Sequence, residues 1–368
     1  MGSNGDLDLD TMLRELVRKK GSDLHLKIGR PPLFRISGDL YPEPLREVTD
    51  EDMERFGKQV LRHPELQRRF ETRYASDQTY IVKDLGRFRT NLFRYRGQVG
   101  LVFRNLSSVP TIESLGLPPV LHTFCTREQG LVLVTGPAGQ GKSTTLAAMI
   151  HQINMTRKCH IVTMEDPIEF LHDDDVAEIT QREIGIDTPS FADGLRDVLR
   201  QDPDVILLGE MRDPETIATA ITAAETGHLV FATLHTRNAP STINRIVDTF
   251  PANQQEQVRL QLADCLAGVM CQRLVSLKTG KGRAAALEIM INQGAVPTLI
   301  LRNELKELKE VIEKSVTYYR MQSMNQSLAA LIANGMVTQT EAQKSSERPK
   351  ELELILNNLG YAGREKEK

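Results

Sequence analysis

Hydrophobic positions in the first part of the chain follow two periods in turn. Leu9, Met12, Leu13, Leu16 and Val17 share one helical face, and Gly21 after Arg18-Lys19-Lys20 supplies a stop, predicting a helix over about residues 8–20. Leu24, Leu26 and Ile28 then alternate with polar residues as a half-buried strand does, and residues 32–37 read as another strand. Asp50 stands as N-cap of a helix through about Arg62, and strand-like segments follow near 79–83, 87–95 and 99–104. Residues 1–106 are therefore expected to form a small mixed α/β domain with an antiparallel sheet.

Residues 107–120 hold three prolines, a glycine and three serines, the composition of a linker. The pattern then changes. The apolar runs Leu131–Val134, His160–Met164, Val205–Leu208 and Leu229–Thr233 alternate with helical stretches. Such alternation predicts a mostly parallel sheet with crossover helices over residues 121–294, binding ligands at the carboxyl ends of its strands. From residue 295 to 368 the chain reads as helical, with a polar, weakly ordered tail expected at Gly363–Lys368. The fold class expected is α/β throughout.

One stretch carries explicit chemistry. The strand-like Gly130–Thr135 runs into Gly136-Pro137-Ala138-Gly139-Gln140-Gly141-Lys142-Ser143-Thr144, and a helical segment follows. This is G-x-x-x-x-G-K-[ST] in its required strand–loop–helix context. Gly136, Gly139 and Gly141 free the backbone to turn consecutive amides inward around a polyphosphate, and the following helix adds its positive end. Lys142 would reach the β- and γ-phosphates, and the Ser143 hydroxyl would ligate Mg²⁺. ATP and Mg²⁺ are the ligands this loop calls for.

Three further strand ends complete a hydrolytic set. Thr163-Met164-Glu165-Asp166-Pro167 places a carboxylate where a base would orient and deprotonate water, which makes Glu165 the candidate base. Val205–Leu208 runs into Gly209-Glu210-Met211-Arg212-Asp213; Glu210 fits a carboxylate serving Mg²⁺, and Gly209 stands where an aspartate is usual. His228 and His235 bracket the strand Leu229–Thr233 from opposite ends, so they cannot easily share one metal, and each is a candidate neutral sensor near the γ-phosphate. In the first domain, Lys83, Arg87, Arg89, Arg94, Arg96 and Arg104 face a single acid, Asp84, within residues 83–104. Most read as a solvated sheet edge that discourages aggregation.

Composition narrows the partners. The formal net charge of −3, the absence of tryptophan and the 5% aromatic content argue against a nucleic-acid translocase, which needs a positive channel and stacking rings. The four cysteines lack CxxC spacing, so neither a zinc site nor a disulfide framework is expected, and a reducing cytosol is the simplest home. The amino terminus lacks the basic and apolar regions of a signal peptide, and no apolar run reaches the ~18 residues of a membrane span. Any membrane association is expected to go through a partner.

Together these runs resemble the secretion-superfamily hexameric ATPases, and within them the type IV pilus retraction ATPases of twitching motility, the PilT group. The resemblance spans about residues 8–340. It is carried by Val134-Thr135-Gly136-Pro137, Glu165-Asp166-Pro167-Ile168-Glu169-Phe170, Gln181-Arg182-Glu183, Gly209-Glu210-Met211-Arg212-Asp213, Thr222–His228 and Thr233-Leu234-His235-Thr236. It implies a PAS-like amino-terminal domain joined to a RecA-like core, six chains in a ring, Glu165 as base, Glu210 serving Mg²⁺, and His228 and His235 in a histidine box. It further implies that arginines of the first domain contact the nucleotide, with Arg89 and Arg104 at the fitting places. The partners implied are further copies of this chain, an inner-membrane pilus platform protein and a paralogous retraction or assembly ATPase, at the cytoplasmic face of the inner membrane.

Two departures from the family pattern stand out. Ala138-Gly139-Gln140 replaces the common Thr-Gly-Ser, and Ala295-Val296-Pro297-Thr298-Leu299-Ile300-Leu301-Arg302 replaces the retraction motif Ala-Ile-Arg-Asn-Leu-Ile-Arg-Glu. Pilus-assembly and type II secretion ATPases share the boxes but resemble longer chains, often with a four-cysteine zinc insert, so retraction ranks above extension. An accessory paralogue that depends on a partner motor is the other reading within the family. A nucleotide-gated structural subunit is disfavoured by the intact Lys142, Glu165 and Glu210.

Overall fold

Asp8 opens the first helix by accepting the Thr11 N–H at 2.8 Å, and α1 (Leu9–Arg18) buries Leu9, Met12, Leu13 and Leu16 as their spacing requires. The computed structural model describes residues 6–36, 38–105 and 109–361, and the predicted tail at 363–368 lies outside them. The chain divides into two compact units. The first comprises residues 1–108 with two returning segments, 166–171 and 183–189; the second comprises 109–165, 172–182 and 190–368.

In the first unit, β1 (Asp23–Lys27), β2 (Leu33–Ile36), β3 (Asp39–Pro42), α2 (Asp50–Val60), α3 (Pro64–Arg73), β4 (Ala75–Val82), β5 (Gly86–Tyr95) and β6 (Gln98–Asn105) follow α1. The strands form one sheet in the order β3-β2-β1-β6-β5-β4, antiparallel at every pairing. Leu24, Leu26, Phe34, Phe88 and Phe103 are fully buried on its inner face. Three details differ from the pattern reading. The cap of α2 is Thr49, one residue before Asp50, because Asp52 then falls at N3 and closes a capping box. The helix α3 carries few apolar residues, so periodicity did not reveal it; Pro64 starts it and only Leu66 and Phe70 are buried. The short β3, exposed along its length, likewise lacks an apolar pattern.

In the second unit, α4 (Leu121–Cys125), β7 (Gly130–Thr135), α5 (Lys142–Thr156), β8 (His160–Glu165), β9 (Glu178–Glu183), α6 (Phe191–Val198), β10 (Val205–Leu208), α7 (Pro214–Glu225), β11 (Leu229–Leu234), α8 (Ala239–Val247) and α9 (Gln255–Cys265) build the alternating part. A hairpin, β12 (Leu266–Ser276) and β13 (Arg283–Ile291), extends the sheet to the order β13-β12-β7-β11-β10-β8-β9. The four strands β7, β11, β10 and β8 are parallel, β12 joins them in parallel beside β7, and β13 returns antiparallel. The rest is helical, through α10 (Val296–Leu301), α11 (Leu308–Lys314), α12 (Val316–Tyr319), α13 (Met324–Ala333), α14 (Gln339–Ser345) and α15 (Pro349–Asn358).

The connector composition of 107–120 does not make its described part free. Ile112, Leu117 and Val120 are buried, and 109–120 belongs to the second unit. Pro297, the proline that departs from the retraction motif, falls in the first turn of α10, where its missing N–H has no helical partner to lose.

Candidate active site

The strand order brings four loops side by side. At the carboxyl ends of β7, β11, β10 and β8 stand the phosphate loop, His235, Glu210 and Glu165, in that spatial order. Parallel strands all point the same way, so residues far apart in sequence meet along one edge.

The phosphate loop takes the shape its glycines permit. Gly136, Gly139 and Gly141 have φ of 143°, 74° and 78°, and Gly141 caps α5 in the left-handed region. The buried Lys142 turns back over the loop. Its Nζ donates to the carbonyls of Gly136 at 2.8 Å and Pro137 at 3.2 Å, and lies 3.4 Å from His235 Nδ1. On the far side, His235 Nε2 lies 3.0 Å from Glu210 Oε1, while Arg212 donates to Glu210 Oε2 at 2.6 Å. An ammonium can only donate, so Nδ1 accepts and the ring proton sits on Nε2, directed at Glu210. The imidazole thus joins the phosphate loop to the acid of the neighbouring strand. Burial pushes the Glu210 carboxyl up, but Arg212 and His235 outweigh it and hold the group below its ordinary value.

The Oε1 oxygen of Glu165 is held from two sides. Thr163 Oγ1 and Gln181 Nε2 both donate to Oε1, at 2.8 and 3.2 Å. The glycine that replaces the usual aspartate has a steric reason. A Cβ at Gly209 would meet Met164 O at 3.2 Å and Glu165 Cα at 3.4 Å, so the bare backbone lets the ends of β8 and β10 close up. Thr233 Oγ1 donates to Gly209 O, and Met211 N to Thr233 O, tying the Glu210 loop to β11.

The site residues predicted from sequence do not all converge. Lys142, Ser143, Glu165, Glu210 and His235 lie at the carboxyl edge. His228 lies at the amino end of β11, with Nδ1 3.0 Å from Ala223 O, so within this chain it is not part of the cluster. Arg89 and Arg104 belong to the first unit, where they are register partners on β5 and β6 and share one sheet face. Asp23, only 4% exposed, accepts from Arg104 Nε at 2.9 Å, and Glu169 lies 3.4 Å from Arg89. In the same unit the buried Glu183 receives Ile168 N–H and the Thr79 hydroxyl, and burial raises its pKa.

Sequence reasoning missed two buried polar groups of the hairpin. Gln272 on β12 lies against the phosphate loop, accepting from Thr145 Oγ1 and donating to Gln140 O, each at 2.7 Å. It interrupts the apolar run 266–271, and a lone amide in a buried strand is a signal in its own right. Glu288 on β13 borders a cavity of about 500 Å³ lined also by Arg237, Arg273 and Glu347, and accepts the Ala239 N–H at 2.8 Å. Burial pushes its carboxyl from 4.5 up to about 7, against the pull of Ala239 and with help from Glu347. A raised acid favours the fold while protonated, so that contribution is lost as pH climbs from about 4.5 through about 7. Glu288→Gln, neutral at every pH and still able to accept from Ala239, is therefore expected to gain on the parent by roughly 2–3 kcal/mol between pH 5 and pH 8. Urea midpoints at the two pH values measure it; a constant difference would show that Glu288 does not titrate with folding.

A parallel sheet with a glycine-rich phosphate loop ending one strand and acids ending two others on the same edge defines a P-loop nucleotide-binding core. The chain belongs to the type II/IV secretion system protein family, which it matches over residues 101–355. The type IV pilus retraction ATPase PilT of Pseudomonas aeruginosa is 41% identical over 344 residues, 93% of this chain and 99% of that protein. The type IV pilus ATPase PilU of the same organism is 38% identical over 352 residues, 95% of this chain and 91% of that one. Among solved structures, the pilus retraction motor PilT with bound ADP matches at a TM-score of 0.87 and 43% identity, covering 95% of this chain and all of that one. The fold is that of the family, a PAS-like α/β domain followed by a RecA-like core and carboxyl-terminal helices. No described helix is long and apolar enough to cross a membrane.

Proposed function

We propose that this chain is an ATP-hydrolysing motor that powers type IV pilus retraction. The observation that carries the reading is the alignment of Lys142, His235, Glu210 and Glu165 along one strand edge in a chain 41% identical to a retraction ATPase over almost its whole length. Residues Gly136–Thr144 cradle the triphosphate, with Lys142 on its outer phosphates. Glu165 orients a water and takes its proton as the water oxygen bonds to the γ-phosphorus and the bond to the ADP oxygen breaks. His235 senses the γ-phosphate, whereas His228, at the opposite end of β11, stands away from it.

The Ser143 hydroxyl, exposed and with no hydrogen bond among the described residues, and the Glu210 carboxylate are hard oxygen donors of the kind Mg²⁺ takes. When bound there, the ion supplies charge neutralisation at the β- and γ-phosphates. Arg89 and Arg104 complete the nucleotide's surroundings in an assembled ring of six chains. The ring works at the cytoplasmic face of the inner membrane against a pilus platform protein, alone or beside a paralogous ATPase.

Imaging surface pili in cells lacking this chain tests the reading. Abundant pili that never shorten are the expected result. Bald cells would assign the chain to assembly, and pili that still retract weakly would make it an accessory subunit.

A further inference from the structure

Beyond an irregularity between Leu266 and Gly268, β12 pairs with β7 in register from Gly268 and Val132 to Cys271 and Thr135, where the pairing ends. The next residues along, Gln272 and Gly136, are where the phosphate loop leaves the sheet. A Cβ on Gly136 would stand 2.5 Å from the Gln272 carbonyl oxygen, and one on Gly141 would stand 2.9 Å from its Nε2. The side chain, 2% exposed, fills the space between loop and helix. Its amide donates to Gln140 O and its carbonyl accepts from Thr145 on the first turns of α5, both at 2.7 Å. Gln140 answers in the other direction, its Oε1 accepting the Leu274 N–H at 2.7 Å.

From this geometry we infer that Gln272 is the positioning residue of the phosphate loop. It touches both arms of the cradle at once. The Gln140 bond fixes the peptide that precedes Gly141 and Lys142, while the Thr145 bond fixes the helix whose first residues carry Lys142 and Ser143. A polyphosphate is bound by amides already aimed at it, so a loop held open from outside binds without a further ordering cost. Gln140, the residue that replaces the family's usual serine, is the one the hairpin grips. The brace also makes the cradle's shape depend on β12 and β13, against which the carboxyl-terminal helices pack; Leu287 N–H donates to Ser327 Oγ and Gln322 Nε2 to Leu287 O.

The inference rests on the proposed nucleotide site, and the test separates the two. Binding of ATP and the steady-state kcat and KM are measured on the full chain for Gln272→Met, Gln140→Ala and Lys142→Ala, with thermal melting as a check on folding. Gln272→Met keeps the volume and removes both side-chain bonds. The expected result is ATP binding weakened roughly 10- to 100-fold, with KM rising more than kcat falls, because buried partners lose their bonds. Gln140→Ala, which spares the backbone carbonyl and removes only the return bond, is expected to weaken binding several-fold. A folded Gln272→Met that binds ATP as tightly as the parent overturns the inference. Should that variant fail to fold, Thr145→Val, which removes the Thr145 hydroxyl bond to Gln272, replaces it, and unchanged ATP binding by that variant overturns the inference. Parent-like ATP binding by Lys142→Ala would reject the nucleotide site itself.

Discussion

Arg89→Ala and Arg104→Ala, each measured in the assembled ring, are expected to lower the ATP turnover rate by roughly 10³- to 10⁵-fold, the range an arginine supplied to a phosphoryl transition state commands. That corresponds to roughly 4–7 kcal/mol of barrier. The first unit holds the two guanidiniums as a deliberate pair. They are opposite one another on β5 and β6, in a row that runs Arg35, Asp23, Arg104, Arg89 and Thr79 across five strands. Like charges facing each other repel, and here carboxylates of Asp23 and Glu169 offset that repulsion. Arg104 nevertheless stays 65% exposed at its side chain, ready for an anion. Turnover by the double variant at the parent rate in an intact hexamer would remove both arginines from the mechanism.

Glu165→Gln is expected to lower kcat for ATP by roughly 10²- to 10⁴-fold, the usual yield of a positioned base, while ATP binding stays near the parent value. The hydrogen bonds explain why this change isolates chemistry from structure. Thr163 and Gln181 both donate to Oε1, and an amide carrying its carbonyl oxygen there keeps both bonds. The side chain loses its basicity while its shape stays the same. Normal hydrolysis by this variant would move the base elsewhere.

The phosphate loop, the ends of β8 and β10, and the parallel order were legible because each is written in consecutive residues: an apolar run, then a glycine or an acid. The first helix was legible from period and cap together. The rest depended on distance. Gln272 meets Gln140 across 132 positions, and Glu288 meets Ala239 across 49, so neither contact leaves a local trace. The helix α3 was hidden for another reason: it is a charged surface helix with two buried residues, and propensity without a stripe gives little to read. The composition of 107–120 marks turns whether or not the chain packs, so it could not tell that Ile112 and Leu117 are buried, while the two units do part within it, between residues 108 and 109.

The posture of Lys142 has a consequence for ligand preference. Its ammonium donates to the carbonyls of Gly136 and Pro137 and lies 3.4 Å from the ring of His235. Loading is therefore an exchange rather than an addition: an incoming group has to outbid two carbonyls and an imidazole that are already satisfied. A neutral nucleoside has nothing to offer in that trade, whereas a phosphate chain does. On the nucleotide site proposed above, a phosphate chain that draws Lys142 to itself would take from His235 its donor, so the residue after β11 would register the arrival without touching the base or the sugar.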